Sequence, residues 1–252
     1  MKIIASFITA ISTYSKIPMP QKVFKNEDLR YVFAFFPLVG VVIGLIVTGG
    51  WYLLCSYDFN LIIRSCFILA VPLLITGGIH VDGYMDTRDA LGSYLDKDKK
   101  LEIMKDSHIG GGAVSSLALY GLIYFGAISC IDTNSKIVYI SLGFVLSRGI
   151  SSLFVVHGPL AKPTGMLAFM QGQADKVICT ITGLVYVLAS LAGMYYCVGY
   201  YAIVCAILQL IVVCYVYTVS KRQLGGINGD IAGYLVLVSQ LMTAMVAIAM
   251  RG

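Results

Sequence analysis

Long apolar runs alternate with short polar connections along this chain of 252 residues. A helix needs about 20 apolar residues to cross a bilayer core of about 30 Å. Seven runs qualify and predict seven transmembrane helices, at residues 31–55, 61–77, 112–131, 137–156, 177–196, 199–219 and 230–250. The connections at 56–60, 132–136 and around Gly199 are short, which predicts that the helices flanking each of them pair as antiparallel hairpins.

The first residues, MKIIASFITAISTYSKIPMP, form a separate element. A lysine followed by an apolar stretch is typical of a secretory signal, but no small-x-small cleavage site follows. We therefore predict a retained N-terminal helix, amphipathic or half-buried, that ends at Pro18 and Pro20 because proline breaks a helix. The predicted fold class is an all-α polytopic integral membrane protein. Since no internal repeat is visible, we expect residues 1–252 to form a single membrane-embedded domain.

Composition agrees with this reading. The chain is 58% hydrophobic and 12% charged, with a mean hydropathy of +0.85, whereas soluble domains carry about 25% charged residues. The net charge of +5 is spread over connections that flank apolar runs, so we do not expect nucleic acid as a partner. The seven cysteines include no CxxC pair, which argues against a zinc site and a disulfide framework.

The basic residues predict the orientation of the chain. Fourteen of the 18 lysines and arginines, including Lys22 and Lys25, lie before residue 31 or in the connections 78–111, 157–176 and 220–229. The intervening connections and the C-terminal end hold only Arg64, Lys136 and Arg251. By the positive-inside rule, the N-terminus and the three basic connections are cytoplasmic. The predicted location is the cell membrane (the inner or plasma membrane), and seven spans place the C-terminus on its outer side.

One polar segment stands out, GGIHVDGYMDTRDALGSYLDKDKKLEIMKDSHIGGG at residues 77–112. If its start is helical, Asp82, Asp86 and Asp89 lie within about 60° of one another around the axis. A solvated acidic surface helix is the alternative, but like charges on one face repel unless something neutralises them. Oxygen ligands without histidine or thiolate suit Mg²⁺ or Mn²⁺, and such an ion suits phosphoryl transfer.

Other polar residues recur at the same predicted membrane face. Gly77, Gly78 and Gly83 would allow close approach of phosphate or backbone. Arg148 lies inside an apolar run, where a charge is costly, and it is therefore a functional candidate. The alternative is a structural arginine whose charged end snorkels to the membrane surface. The remaining candidates are Lys105, Asp106 and Ser107 before three glycines, Lys162 in a proline-glycine loop, and Asn228 with Asp230, the latter also a candidate helix N-cap. His80 is predicted to point away from Asp82 and to be structural.

These motifs, in order and spacing, resemble the cobalamin synthase family, also called adenosylcobinamide-GDP ribazoletransferase. The likeness rests on GGIHVDGYMDTRDALG, LEIMKDSHIGGG, LSRG, AKPTGM and LGGINGD, and it extends to YSKIPMP and FFPLVGVVIG. It covers essentially the whole chain. His108 departs from the arginine expected in DSRIG, which puts a phosphate-clamping role for this position in doubt.

The resemblance implies a Mg²⁺-dependent enzyme of the inner membrane. It would join adenosylcobinamide-GDP to α-ribazole, or its 5′-phosphate, to give adenosylcobalamin, or its phosphate, and GMP. Carried over by motif, Asp82, Asp86 and Asp89 would bind the metal and act in catalysis together with Lys105 and Asp106. The motifs also carry substrate binding over to Ser107, Arg148, Lys162 and Asp230, and the residue argument adds Gly77, Gly78, Gly83 and Asn228 as substrate-binding candidates. The sequence leaves homo-oligomerisation open.

Two other functions compete with this one. A CDP-alcohol phosphotransferase also uses several aspartates, but its D-G-x-x-A-R start is not matched, since Asp86 and Thr87 follow DGYM. A cation transporter would place its acids near the bilayer midplane at broken helices, whereas these acids border a predicted cytoplasmic connection.

The orientation is testable by topology reporters. Fusions after Lys99, Lys162 and Arg222 should read cytoplasmic, because each lies within a basic connection. A fusion after Gly252 should read external. A cytoplasmic reading there would overturn the count of seven spans.

Overall fold

The computed structural model describes residues 2–20 and 29–250. Lys22, Lys25 and the C-terminal Arg251 and Gly252, used above to predict orientation, lie outside these ranges. The described chain is all-α, as predicted. Its helices are α1 (Lys2–Tyr14), α2 (Val32–Ser56), α3 (Leu61–Thr76), α4 (Ile79–Gly92), α5 (Lys97–Ile103), α6 (Gly111–Ile128), α7 (Asn134–His157), α8 (Met166–Gln173), α9 (Lys176–Val198), α10 (Tyr201–Val219), continued by a π-turn at Ser220–Leu224, and α11 (Gly229–Ala249).

Each of the seven predicted apolar runs forms a helix. Within the described ranges, six helices are long and apolar enough to cross a membrane, namely α2, α6, α7, α9, α10 and α11. Helix α3 is shorter, and it reaches that length only together with α4, from which it is separated by a bend of 92°. The chain is therefore a multi-pass membrane protein with six spans, or seven if this bent pair counts as one.

The predicted N-terminal helix is also present and is half-buried. Ile3 and Ile4 of α1 are exposed, whereas Ala10 and Ile11 are buried in the bundle. The helix ends at Tyr14, four residues before the first proline. The backbone N–H of Lys16 then donates to the carbonyl of Ile75, 2.7 Å away, which ties the end of α1 to the end of α3.

Small residues allow the central helices to approach closely. Gly40 and Gly44 of α2 face Phe144 and Ser141 of α7, where a Cβ on Gly44 would lie 2.8 Å from the Ser141 carbonyl oxygen. The hydroxyls of Thr48 and Ser141 form a 2.7 Å hydrogen bond across the same contact. Because lipid tails are as apolar as leucine, close packing and such hydrogen bonds hold membrane helices together. Helix α7 is buried along almost all of its length and forms the centre of the bundle.

The break between α3 and α4 sends the acidic helix across the end of the bundle. Gly77 and Gly78 adopt φ values of +62° and +80°, which suit glycine because it has no Cβ. After this turn, α4 packs Gly83 against the backbone of Asp230 at the start of α11. Farther along, the Asp89 carboxylate accepts a 3.1 Å hydrogen bond from the N–H of Gly110, just before α6. Helix α4 thus covers the N-terminal ends of α6 and α11, and we treat it as lying outside the spans.

The contact between α2 and α7 can be tested with two glycines of the same helix. A Cβ on Gly40 would lie 2.9 Å from the Val145 Cα and closer still to the Phe144 carbonyl, whereas Gly49 has open space. Gly40→Ala should destabilise the protein by about 1–3 kcal/mol through overpacking. Thermal unfolding in detergent measures this, with Gly49→Ala as the control that should keep or raise the melting temperature. Equal melting temperatures would contradict the close contact.

Candidate functional site

A cavity of about 390 Å³ opens where α4 crosses the bundle. Its wall is built from elements far apart in sequence. It contains residues of α1, α2, α4, α5, α7, α8 and α11, of the loops after α5 and α7, and of the segment before α11. This volume lies at the lower end of the range of about 300–1,000 Å³ typical of small-molecule sites. Five of the predicted site residues line it: Asp82, Lys105, Lys162, Asn228 and Asp230.

Two carboxylates meet at the cavity from elements far apart in sequence. Asp82 lies in the first turn of α4 and Asp230 in the first turn of α11. Asn228, and not Asp230, caps α11, because its side-chain oxygen accepts the N–H of Ile231 at 2.9 Å. The amide nitrogen of Asn228 donates to Asp230 at 2.9 Å and so fixes this carboxylate. The N-cap alternative for Asp230 is therefore wrong, and its charge is available to the cavity.

Two lysines bring positive charge to the same cavity. Lys105 follows α5, and its neighbour Met104 accepts a long 3.7 Å hydrogen bond from Asn228. Lys162 belongs to the proline-glycine loop after α7. That loop is fastened to the start of α11 by two backbone hydrogen bonds, from Ile227 to the Pro159 carbonyl at 2.7 Å and from Ala161 to the Ile227 carbonyl at 2.9 Å. The fold thus sets carboxylates and ammonium groups around one small space.

Asp86 and Asp89 continue the acidic face of α4, which is helical as predicted. Burial raises the pKa of Asp86 to about 6, and the negative charges of Asp230, Asp82 and Asp89 add to this shift in that order. Four carboxylates therefore act on one another across α4 and α11. The Asp89 carboxylate also accepts a hydrogen bond from Gly110 at the glycine-rich start of α6.

The donor set fits a hard divalent cation. Within residues 2–20 and 29–250, the ion pairs to aspartate are made by Asp106, Asp132 and Asp175, so the four clustered carboxylates have no basic partner within 4.0 Å there. The charges of its neighbours add to the raised pKa of Asp86, and a bound Mg²⁺ would relieve this repulsion. In the same ranges, no three His, Cys, Asp or Glu side chains are already grouped closely enough to hold an ion.

Several predicted site residues lie elsewhere. Asp106 is outside the cavity wall, and its pKa is lowered by hydrogen bonds from the backbone and ring of His108. Ser107 is likewise exposed and outside the wall. Gly77 and Gly78 form the turn before α4, and the side chain of Lys16 covers Gly77.

Arg148 is enclosed in the bundle at 1% exposure and does not line the cavity. Its guanidinium donates to the Phe144 carbonyl one turn earlier, at 3.0 Å, and its Nε has no partner in the described chain. This is not the snorkelling arginine of the alternative reading, because its charged end does not reach water.

Sequence reasoning missed one residue of the cavity wall, His80. His80 was predicted to point away from Asp82, yet both residues line the same wall. The His80 ring lies 5.7 Å from that of Phe36, which in turn lies 4.3 Å from that of Tyr14. Helical periodicity places His80 and Asp82 about 200° apart, yet both residues of the first turn of α4 line the cavity. The sequence feature that could have indicated a role for His80 was its position between a glycine pair and the first aspartate of the acidic face.

Comparison with known proteins finds relatives that match this chain over almost its whole length. A family model described as cobalamin-5-phosphate synthase matches residues 6–248. A protein of Lachnoclostridium phytofermentans named adenosylcobinamide-GDP ribazoletransferase is 36% identical over 100% of this chain and 96% of its own length. A protein of the same name from Fusobacterium nucleatum is 30% identical over 94% of each chain. These names mention neither phospholipid synthesis nor cation transport, and no solved structure matches.

The contact of α4 with α11 can be tested at Gly83. A Cβ there would lie 2.8 Å from the Cα and the carbonyl oxygen of Asp230, so Gly83→Ala must push the two helices apart. We expect at least about tenfold lower activity, because displacement by about 1 Å is costly in a preorganised site. Gly92→Ala, at the open end of the same helix, should keep wild-type activity. Full activity of Gly83→Ala would contradict the role of this contact.

Proposed function

The chain belongs to the cobalamin-5-phosphate synthase family, and from that premise we propose that it is an adenosylcobinamide-GDP ribazoletransferase. The donor is adenosylcobinamide-GDP and the acceptor is α-ribazole or its 5′-phosphate. The ribose 3′-hydroxyl of the acceptor attacks the phosphorus on the cobinamide side of the diphosphate. The bond from that phosphorus to the bridging oxygen breaks, and GMP leaves with this oxygen. The product is adenosylcobalamin or its phosphate.

One observation carries this proposal, the meeting of Asp82 and Asp230 with Lys105 and Lys162 at a single cavity. A diphosphate brings several negative charges, and the two ammonium groups offset part of them. Asn228 holds the Asp230 carboxylate in a fixed orientation, which limits the reorganisation needed during the reaction. Positioning and charge neutralisation are the main demands of phosphoryl transfer.

The carboxylates and a diphosphate are all negatively charged, so a cation must lie between them when the substrate binds. We propose Mg²⁺, held by Asp82, Asp86 and Asp89, with Asp230 adding a fourth carboxylate from α11. The ion would neutralise charge on the diphosphate oxygens when bound. Since Asp106 lies outside the cavity, the carboxylates of α4 and α11 remain as acceptors of the hydroxyl proton. We also propose that residues 1–252 act as one catalytic domain.

The proposed location of the site rests on the distribution of basic residues along the chain. Asp82, Lys105, Lys162 and Asp230 adjoin the connections that the positive-inside rule assigns to the cytoplasm. The proposed site therefore opens to the cytoplasmic side of the cell membrane, where a soluble nucleotide by-product such as GMP can be released. The lipid bilayer is the partner of the exposed apolar faces of α6, α9 and α10.

The metal site is tested by separate Asp82→Asn, Asp86→Asn and Asp230→Asn variants. Asparagine keeps the size of the side chain but removes one negative charge. Each variant should therefore raise the Mg²⁺ concentration for half-maximal transfer by about tenfold or more, and a double variant should abolish turnover. The measurement is GMP release by detergent-solubilised enzyme over a Mg²⁺ titration.

Asp98→Asn is the matched control, because Asp98 is an exposed aspartate of α5 outside the cavity. It should leave the Mg²⁺ dependence unchanged. If the Asp82→Asn, Asp86→Asn and Asp230→Asn variants all kept the wild-type Mg²⁺ dependence as well, the acidic face would not be the metal site.

A further inference from the structure

The cavity has a second, aromatic end whose chemistry differs from that of the charged end. We define the aromatic end by Tyr14 of α1, Phe33 and Phe36 of α2, and His80 of α4, all of which line the wall. Phe33 is buried at 1% exposure and packs with Tyr14 in one apolar cluster. The diphosphate of a nucleotide would bind poorly to such a surface, because burying a charged phosphate among apolar rings costs free energy of desolvation.

The polar groups of this end are the His80 ring and the Tyr14 hydroxyl, and in the described part of the chain neither has a hydrogen-bond partner. The His80 side chain belongs to a residue only 6% exposed, and within residues 2–20 and 29–250 no hydrogen bond reaches its ring. The hydroxyls of the neighbouring Ser151 and Ser152 are already committed, to the Ala232 carbonyl at 3.2 Å and to the Phe33 carbonyl at 2.7 Å. A buried polar group on a cavity wall is costly unless a ligand or water completes its hydrogen bonding.

We propose that the aromatic end binds the base of the acceptor nucleoside and that His80 hydrogen-bonds to the ring nitrogen of this base. The inference rests on the proposed function, which supplies α-ribazole as the acceptor. The base of α-ribazole is a dimethylated benzimidazole, which has two apolar methyl groups, a planar ring and one free ring nitrogen. One imidazole beside three aromatic rings matches those needs.

Size and polarity set this base apart from the other parts of the two substrates. The cavity of about 390 Å³ has room for a ribonucleoside, whereas a corrinoid must stay outside. Guanine carries donors and acceptors along two edges, and at this end most of them would remain unpaired. Binding the base here would direct the ribose towards Asp82 and Asp230, where its hydroxyl meets the diphosphate.

The test separates the Michaelis constants of the two substrates. His80→Ala should raise the KM for α-ribazole by about tenfold and leave the KM for adenosylcobinamide-GDP unchanged. His157→Ala is the matched control, because that histidine is exposed, lies outside the cavity and pairs with Thr180. It should change neither constant. If His80→Ala folds poorly, Ala168→Phe, which narrows the cavity from the short surface helix α8, should raise the same KM.

The outcomes are distinct. A rise confined to the KM for adenosylcobinamide-GDP would place guanine at the aromatic end and overturn the inference, and unchanged constants in both variants would overturn it as well. Calorimetric binding of α-ribazole to the enzyme without donor separates this inference from the proposed function. An inactive wild type that binds α-ribazole through His80 would overturn the function and keep the site. An active wild type whose KM does not respond to either variant would do the reverse.

Discussion

The close packing of α4 against the first turn of α11 is the contact on which the candidate site depends. Gly83 has no side chain, and the space that a Cβ would need is taken by the backbone of Asp230. The contact sets Asp82 beside Asp230, two carboxylates 148 positions apart in a chain of 252 residues. Two negative charges held side by side repel each other, so apolar packing must hold the two helices together. Tyr84 supplies part of it by stacking on Tyr234, with ring centroids 5.4 Å apart.

A membrane bundle offers few places where such a charge cluster is tolerated. Charges are costly in the hydrocarbon region, and they are stable where they border water or neutralise one another. The turn at Gly77 and Gly78 solves this problem by taking the chain out of the apolar bundle just before its aspartates. The acids then lie across helix ends, where loops can bring Lys105 and Lys162 to meet them. Fold and chemistry are therefore set by the same bend of 92°.

The cavity combines two chemical environments. Its charged end suits phosphate and a cation, and its aromatic end, between α1 and α2, suits an apolar base. The N-terminal helix is therefore part of the site as well as of the bundle. The end of α1 is held in place by the hydrogen bond from Lys16 to Ile75, and so Tyr14 stays beside Phe36.

The sequence by itself determined the elements and the class of chemistry. Long apolar runs predicted seven of the helices that the structure shows, because a span must satisfy its own backbone hydrogen bonds. These are α2, α3, α6, α7, α9, α10 and α11. The spacing of Asp82, Asp86 and Asp89 predicted one acidic face, since helical periodicity is a local property. The order of the motifs was enough to identify the family.

Only the tertiary structure decided which of these residues meet. It joined Asp230 to the acidic face, brought His80 to the same wall as Asp82, and left Asp106 and Arg148 away from the cavity. It also gave the capping of α11 to Asn228. Periodicity within one helix cannot contain this information, because the wall of the cavity is made by contacts between helices distant in sequence. Those contacts depend on where glycines allow two backbones to touch, and on a bend whose angle no local pattern specifies.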